Sequence, residues 1–344
     1  MKRHNNLYQR ITSEENIREA WREARRGKSG KSAVRRFERD LDDNLKRIRE
    51  SLVDKTYKTS PYTTMIIREP KTRLIYRLPY DPDRIVHHIL MRVVEPIWEG
   101  LFISDSYACI KGKGLHGGSR RCMEFVRRNR YCLKMDIAKF YPSVDHDILY
   151  NIVQEKIKCA DTLWLFREII YSIPDGKNVP IGNYTSQWMG NLYLNELDSF
   201  VKHTLRVKDY VRYCDDFCLF HDDKKYLARL ADEIETFLAD SLALKLSKNS
   251  IFPVAQGVDF LGYRHFPTHV LLRKSTATRI RRRLRSLPGA LAAGHITFEY
   301  FRSCIASIKG WMRWANTHHL RLATELTALE RIVENGGITA AEAV

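Results

Sequence analysis

Residues 210–221 read Tyr-Val-Arg-Tyr-Cys-Asp-Asp-Phe-Cys-Leu-Phe-His. Val211, Tyr213, Phe217, Leu219 and Phe220 are residue types that favour strands. Asp215 and Asp216 interrupt them with two adjacent carboxylates. The run predicts a strand, a tight turn and a second strand, with the acidic pair at the bend. Two neighbouring carboxylates repel, and a fold that holds them together commonly supplies a cation. An acidic hairpin turn at the surface is the plainer alternative.

A second acidic signal lies upstream. Tyr131-Cys132-Leu133-Lys134-Met135 predicts a strand that ends at Asp136-Ile137-Ala138-Lys139-Phe140-Tyr141-Pro142. A carboxylate at a strand end, followed by consecutive aromatics, suits a site for a cation and a planar or sugar group. Asp136 as a helix cap is the alternative. Asp145 is expected to cap a helix that buries Ile148, Ile152 and Val153, and residues 163–173 predict another. Val179-Pro180-Ile181-Gly182 then predicts a turn into a long helix with Trp188, Leu192 and Leu197 inward. Ser186 and Gln187 stand near its start, facing a ligand or capping the helix.

The flanking segments are mainly helical. Thr12 with Glu15 suggests a capping box, and Ile17, Ala20, Trp21 and Ala24 follow at helical spacing. The run from Gly27 to Ser32 lacks the first glycine of a phosphate loop, since positions 22 and 25 are arginine. It is expected to be a basic turn. Residues 62–67 and 74–78 predict a hairpin with a basic tip at Lys71 and Arg73, suited either to a triphosphate or to solvent. Asp83 is expected to cap the next helix, which buries Ile85, Ile89 and Val93. The glycine-rich stretch 104–121 reads as a loop. His116 in it has no metal-ligating neighbour in sequence. Residues 224–243 predict a helix, residues 244–248 a strand, and Phe260-Leu261-Gly262-Tyr263 a short hairpin. Residues 298–315 and 320–333 predict helices. Trp311 and Trp314 are expected to share a core face.

Composition narrows the class. The 344 residues carry 58 Lys and Arg against 41 Asp and Glu, a net charge of +17, which favours a polyanionic partner. Seven cations and no acid fall in residues 273–285. The seven cysteines form no Cys-x-x-Cys pair, so a zinc ribbon or thioredoxin-type motif is not expected, and reduced thiols are. No apolar run approaches the roughly 20 residues that span a bilayer. A cytoplasmic protein without a membrane partner is the expectation. Brought onto one sheet, Asp136, Asp215 and Asp216 would suit hard divalent cations. Such a pair of ions supports in-line phosphoryl transfer, and the residues alone leave polymerase and nuclease equally open.

The order of these motifs resembles the palm of reverse transcriptases over roughly residues 57–265. Asp136 with its aromatics, the Pro-x-Gly turn, Tyr213-Cys214-Asp215-Asp216, Lys248 and Phe260-Leu261-Gly262-Tyr263 stand in the family's order. Ile181-Gly182 with Ser186-Gln187 is similar to the pattern of diversity-generating retroelement reverse transcriptases. The resemblance implies an α+β right-hand polymerase. N-terminal helices and fingers would occupy residues 1–105, and a palm of antiparallel sheet plus helices residues 106–267, with a helical insertion around 145–178. A basic helical thumb would occupy 268–344.

It implies RNA-directed DNA polymerase activity with two Mg2+ ions and dNTP substrates. The ions would bind Asp136, the Ile137 carbonyl, Asp215 and Asp216. Lys71 and Arg73 would contact the triphosphate, and Tyr141 would exclude a ribose 2′-hydroxyl. Ile181 and Gly182, with Gln187 nearby, would line the nucleotide site. Lys248 would protonate the leaving pyrophosphate. The implied partners are a template RNA, the RNA/cDNA duplex and a small basic ring-forming accessory protein, in a prokaryotic or phage-encoded system. Copying would be error-prone at template adenine. A retron-like or defence-associated reverse transcriptase is the alternative, with a non-catalytic RNA-binding scaffold behind it. No Val-Thr-Gly motif of retron enzymes and no endonuclease region of intron proteins is visible.

Overall fold

Ser13 opens the first long helix: its hydroxyl accepts from the Asn16 N–H at 3.3 Å. Thr12, expected as the cap, instead donates its hydroxyl back to the Tyr8 carbonyl. It belongs to the preceding turn, α1 (Tyr8–Ile11). In α2 (Glu14–Arg25), Ile17, Ala20 and Ala24 form one buried stripe. Helices α3 (Ser32–Arg39) and α4 (Leu41–Val53) follow, and α2 packs on α4 and on α5 (Ile85–Glu99). The last is buried on nearly every side, as an apolar helix with little polar face must be.

The computed structural model describes residues 3–68 and 72–335. It divides into two compact units: residues 1–112, 135–217 and 229–249, and residues 113–134, 218–228 and 250–344. Both are discontinuous in sequence. No described helix is long and apolar enough to cross a membrane.

In the first unit, β1 (Thr63–Ile67) and β2 (Arg73–Arg77) form an antiparallel hairpin with Thr63 opposite Arg77 and Ile67 opposite Arg73. The expected basic tip residue Lys71 lies outside the described residues. Asp83 caps nothing. It is fully buried in a π-helical turn at 80–84, where Oδ1 accepts from the Tyr57 hydroxyl at 2.8 Å and the Ser60 N–H at 3.0 Å. That tie joins the approach to the hairpin to the foot of α5. Asp145 does cap its helix, accepting from the Asp147 and Ile148 N–H groups.

A four-stranded sheet has the order β4 (Tyr210–Tyr213), β5 (Asp216–His221), β3 (Tyr131–Ile137), β6 (Leu246–Pro253). β3 and β5 are buried along almost their whole length, as strands covered on both faces are. The strand expected from 244 begins two residues later, at Leu246. A two-residue turn, Cys214-Asp215, joins neighbours β4 and β5, so they form an antiparallel hairpin. The short α7 (Phe140–Ser143), α8 (His146–Lys156), α9 (Ala160–Ile170), α10 (Tyr184–Ser199) and α11 (Lys224–Leu242) complete the middle of the chain.

In the second unit, part of the expected loop at 104–121 is α6 (Leu115–Arg128), which starts after Gly114 at φ +90°. His116 thus sits in a first helical turn, with its ring stacked on Trp314 at 4.7 Å. Strands β7 (Val258–Phe260), β8 (Tyr263–His265) and β9 (Val270–Leu272) form an antiparallel sheet. Leu261 and Gly262, both left-handed, make the expected two-residue hairpin between Phe260 and Tyr263. Helix α12 (Lys274–Ala292) buries Ile280, Leu284 and Leu287 and turns its arginines outward. Against that stripe pack Phe301, Ile305 and Met312 of α13 (Phe298–Met312). The helix expected at 320–333 is two, α14 (His318–Ala323) and α15 (Leu326–Glu334), because Glu325 turns left-handed at φ +48°.

Asp83→Ala leaves the buried Tyr57 hydroxyl and the part-buried Ser60 N–H without their acceptor. It should lower unfolding stability by about 2–4 kcal/mol, read as a lower denaturant midpoint. A loss under about 0.5 kcal/mol would show that the tie does not hold the hairpin's approach.

Candidate active site

Every described residue of the predicted site falls in the first unit. Asp136 is the penultimate residue of β3, not a helix cap. The next residue, Ile137, donates its N–H to the Asp215 carbonyl at 3.3 Å, and Ala138 donates to the Lys245 carbonyl at 2.8 Å. The end of β3 is therefore flanked by the Cys214-Asp215 turn and by the entry to β6. Asp216 heads β5. Asp136, Asp215 and Asp216 are all half-buried.

Both carboxylate-bearing elements bend through a left-handed residue with a side chain, Lys139 at φ +45° and Cys214 at φ +53°. Such conformations cost on the order of 1–2 kcal/mol each and gather at functional sites. Cys214 donates its thiol to Cys109, whose own pKa that hydrogen bond brings down to about 7.

Beneath the turn lies a buried ion pair. Arg212, wholly buried in β4, donates Nε and Nη2 to the two oxygens of Asp198 in α10, at 2.7 and 2.5 Å. Its Nη1 donates to the Cys214 carbonyl at 3.1 Å, directly under the acidic pair. Burial alone would lower the guanidinium pKa, but the Asp198 carboxylate outweighs it and holds the group charged. Asp198 also accepts from the Tyr210 hydroxyl at 2.7 Å. The Arg212 backbone pairs with residues 105–107, covering the outer edge of β4.

The predicted nucleotide-site residues gather around the start of α10. The Tyr76 N–H of β2 donates to the Ile181 carbonyl at 3.0 Å, joining the hairpin that carries the exposed Arg73 to the Pro180–Gly182 turn. Gly182 has φ +129°, and a Cβ there would lie within 2.3 Å of the Tyr76 carbonyl, so only glycine fits. Ser186 neither caps α10 nor faces outward; its hydroxyl donates to the Pro180 carbonyl at 2.7 Å. Gln187 is exposed.

Of the two aromatics after Asp136, Phe140 is buried and Tyr141 partly buried. The Tyr141 phenol is pushed up by burial and by nearby Cys214, Cys109 and Asp215, which puts it beside the acidic turn. Lys248 is exposed in β6. The side chain that reaches Asp136 is its neighbour Ser247, whose hydroxyl donates to Oδ2 at 2.6 Å. Successive strand residues face opposite sides, so Lys248 points away from the side that Ser247 serves.

Among the described residues, no group of three or more His, Cys, Asp or Glu side chains forms a ready metal cage. The available donors are carboxylates and carbonyl oxygens, which fit a hard divalent cation and not zinc. Sequence reasoning missed Ser247, Arg212 with Asp198, and Gly190. Signals pointed to two of these, one cation within an apolar strand for Arg212 and a glycine inside a helix for Gly190, and none to Ser247.

Arg212→Met strands the Asp198 carboxylate in the core and should destabilise by about 3–5 kcal/mol, measured by chemical denaturation. Adding Asp198→Leu removes the stranded charge and should restore much of that loss. A double variant as unstable as the single would refute the pairing account.

Comparison with known proteins identifies the family. The chain is 26% identical over 270 residues to protein YkfC of Escherichia coli, covering 64% of this chain and 70% of YkfC. It is 24% identical over 170 residues to the group II intron-encoded protein LtrA of Lactococcus lactis, covering 46% of this chain and 28% of LtrA. An uncharacterized 91 kDa protein in the cob intron of Schizosaccharomyces pombe is 27% identical over 136 residues, 37% of this chain and 17% of that protein. The family profile described as reverse transcriptase (RNA-dependent DNA polymerase) matches residues 66–265, a span holding every predicted site residue and more than half of the sequence. The chain belongs to that family, the RNA-directed DNA polymerases.

Proposed function

We propose that this protein copies a template RNA into cDNA by two-metal phosphoryl transfer, within a right-hand arrangement of fingers, palm and thumb. The observation that carries the reading is the hydrogen bond from the Ile137 N–H to the Asp215 carbonyl, which seats Asp136 beside the acidic turn. Asp136, Asp215, Asp216 and the Ile137 carbonyl would hold two magnesium ions. Such ions, when bound, stabilise the attacking and leaving oxygens of an in-line displacement. The chain's own residues do the rest. Lys71 and Arg73 bind the triphosphate of a dNTP. Ile181 and Gly182 support the incoming nucleotide from the turn that Tyr76 fastens, with Gln187 on the next turn of α10. Tyr141 excludes a 2′-hydroxyl. Lys248, exposed and on the other face of β6 from Ser247, is given no part in the reaction, and the proton for the pyrophosphate comes from elsewhere. The arginines of α12 hold the backbone of the RNA/cDNA duplex by charge.

We further propose that copying serves a diversity-generating retroelement in a prokaryotic or phage-encoded cytoplasmic setting. It would be error-prone at template adenine and work with a small basic ring-forming accessory protein. Ile181, Ser186 and Gln187 support this reading. An apolar, half-buried side chain at 181 contacts the nucleotide region without hydrogen bonds, so it restrains a mispaired base by shape alone. The intron relatives favour a second reading, an intron-type reverse transcriptase with the same aspartates and ordinary fidelity.

Two measurements test these readings. Asp215→Ala should cut dNTP incorporation on a primed RNA template by at least about a hundredfold, with RNA binding kept. Activity within twofold of the unaltered protein would sink the assignment. Sequencing cDNA from an adenine-containing template should find errors concentrated opposite adenine and reduced by Ile181→Gln. Errors spread evenly over the four template bases would favour the intron-type reading.

A further inference from the structure

Gly190 is buried in the interior of α10, where glycine weakens a helix relative to alanine. Its backbone does not require glycine, because its φ lies outside the left-handed region. The space beside it does. A Cβ on residue 190 would lie 3.1 Å from Phe140 Cε1, 3.2 Å from Tyr141 Cε1 and 3.5 Å from the Tyr141 hydroxyl oxygen. The edge of the Tyr141 ring therefore rests on the bare backbone of α10.

Three constraints decide what a side chain at 190 would do. The Tyr141 backbone is pinned, since its carbonyl accepts from the Val179 N–H at 2.9 Å. Phe140 is walled in, only 3% exposed and packed against Tyr141 at 5.2 Å and Tyr193 at 6.4 Å between ring centroids. Tyr141 is only partly buried, so of the two rings it is the one with room to yield. On the reading of Tyr141 as the residue that excludes a ribose, a yielding ring moves toward the nucleotide sugar. Ser186, which fastens the Pro180–Gly182 turn, is one helical turn before Gly190 on the same face. One face of α10 thus supports the turn beneath the nucleotide and the ring beside it.

We propose that Gly190 is a positioning residue that sets sugar selectivity, by letting Tyr141 stand back from the space a nucleotide sugar occupies. The inference rests on the reading of Tyr141 as the residue that excludes a ribose. Gly190→Ala moves the ring a few tenths of an ångström outward and narrows the opening, so deoxyribonucleotides enter with a higher KM and ribonucleotides are refused more strongly.

The test is a four-variant cycle on the full chain: unaltered, Gly190→Ala, Tyr141→Ala and the double variant. Each is measured for kcat and KM with one dNTP and the matching rNTP on a primed RNA template. Gly190→Ala should raise the dNTP-to-rNTP ratio of kcat/KM by about fivefold or more, with kcat for the dNTP within about twofold. With Tyr141→Ala present, Gly190→Ala should change the ratio by less than about twofold, because the ring it moves is gone. If Tyr141→Ala alters sugar selection and Gly190→Ala does not, the role of Gly190 is refuted while the Tyr141 reading stands. An equal effect of Gly190→Ala in both backgrounds also refutes it. No effect of Tyr141→Ala removes the reading beneath it. Thermal unfolding of Gly190→Ala at or above the unaltered midpoint checks that a changed ratio does not come from misfolding.

Discussion

The acidic turn stands on a buried ion pair. Arg212 and Asp198 are both fully buried, and every polar contact they make ends on an element that shapes the site. Arg212 grips the Cys214 carbonyl and, through its backbone, residues 105–107. Asp198 adds Tyr210. Asn191, the residue after Gly190 in α10, donates to the Ala108 carbonyl. A buried pair is a weak source of net stability, since desolvation consumes most of its attraction. Its consequence is register. A one-residue slip of β4 would leave Asp198 charged and alone in an apolar core and would turn Arg212 to the other face. The pair therefore fixes which residues of 210–216 reach the bend, and so where Asp215 stands relative to Asp136.

Helix α10 is the second constraint, because it serves several neighbours at once. Its start receives the Pro180–Gly182 turn through Ser186, its middle gives Tyr141 a seat at Gly190, and its last turn holds Asp198. Tyr193 between them donates its hydroxyl to the Leu242 carbonyl at the end of α11. A helix with so many obligations has no solvent face to spare, and nearly all of its residues from Thr185 to Asp198 are buried. Small and polar residues at 186, 190, 191 and 198 occur here where an ordinary buried helix would carry leucine. Each sits against a specific backbone group, ring or charge.

Much of this was legible in the sequence. Alternation and residue type located the β4–β5 hairpin, the β1–β2 hairpin and the Leu261-Gly262 turn, because those signals are local. The caps divided by how local they are. Asp145 bonds its own helix and was readable, whereas Asp83 bonds Tyr57 and Ser60 far up the chain and was not. The glycines at 112–118 suggested a loop, yet only Gly112 and Gly114 are left-handed; Gly118 is helical and buried in α6. Ser247 was hidden because its meaning depends on the strand across the sheet, and the sequence drew attention to the lysine beside it. Gly190 was visible only as an oddity, since nothing local says which ring rests on it.

The division between what the aspartates determine and what the turn determines follows from the same physics. A carboxylate set tuned to hard cations serves any in-line phosphoryl transfer, and it is indifferent to which base is being paired. Discrimination lies in the groups that touch the base and sugar, which on the proposed reading are held on α10 and on the turn tied to Tyr76. Ile181 sits in a turn that is rigid by construction: Gly182 admits no side chain, Tyr76 fixes the Ile181 carbonyl, and Ser186 fixes Pro180. A rigid turn that presents an apolar side chain offers shape without hydrogen bonds, and shape alone separates similar ligands weakly. On the proposed reading, rigid backbone and permissive side chain together make a site that positions a nucleotide well while testing its base poorly.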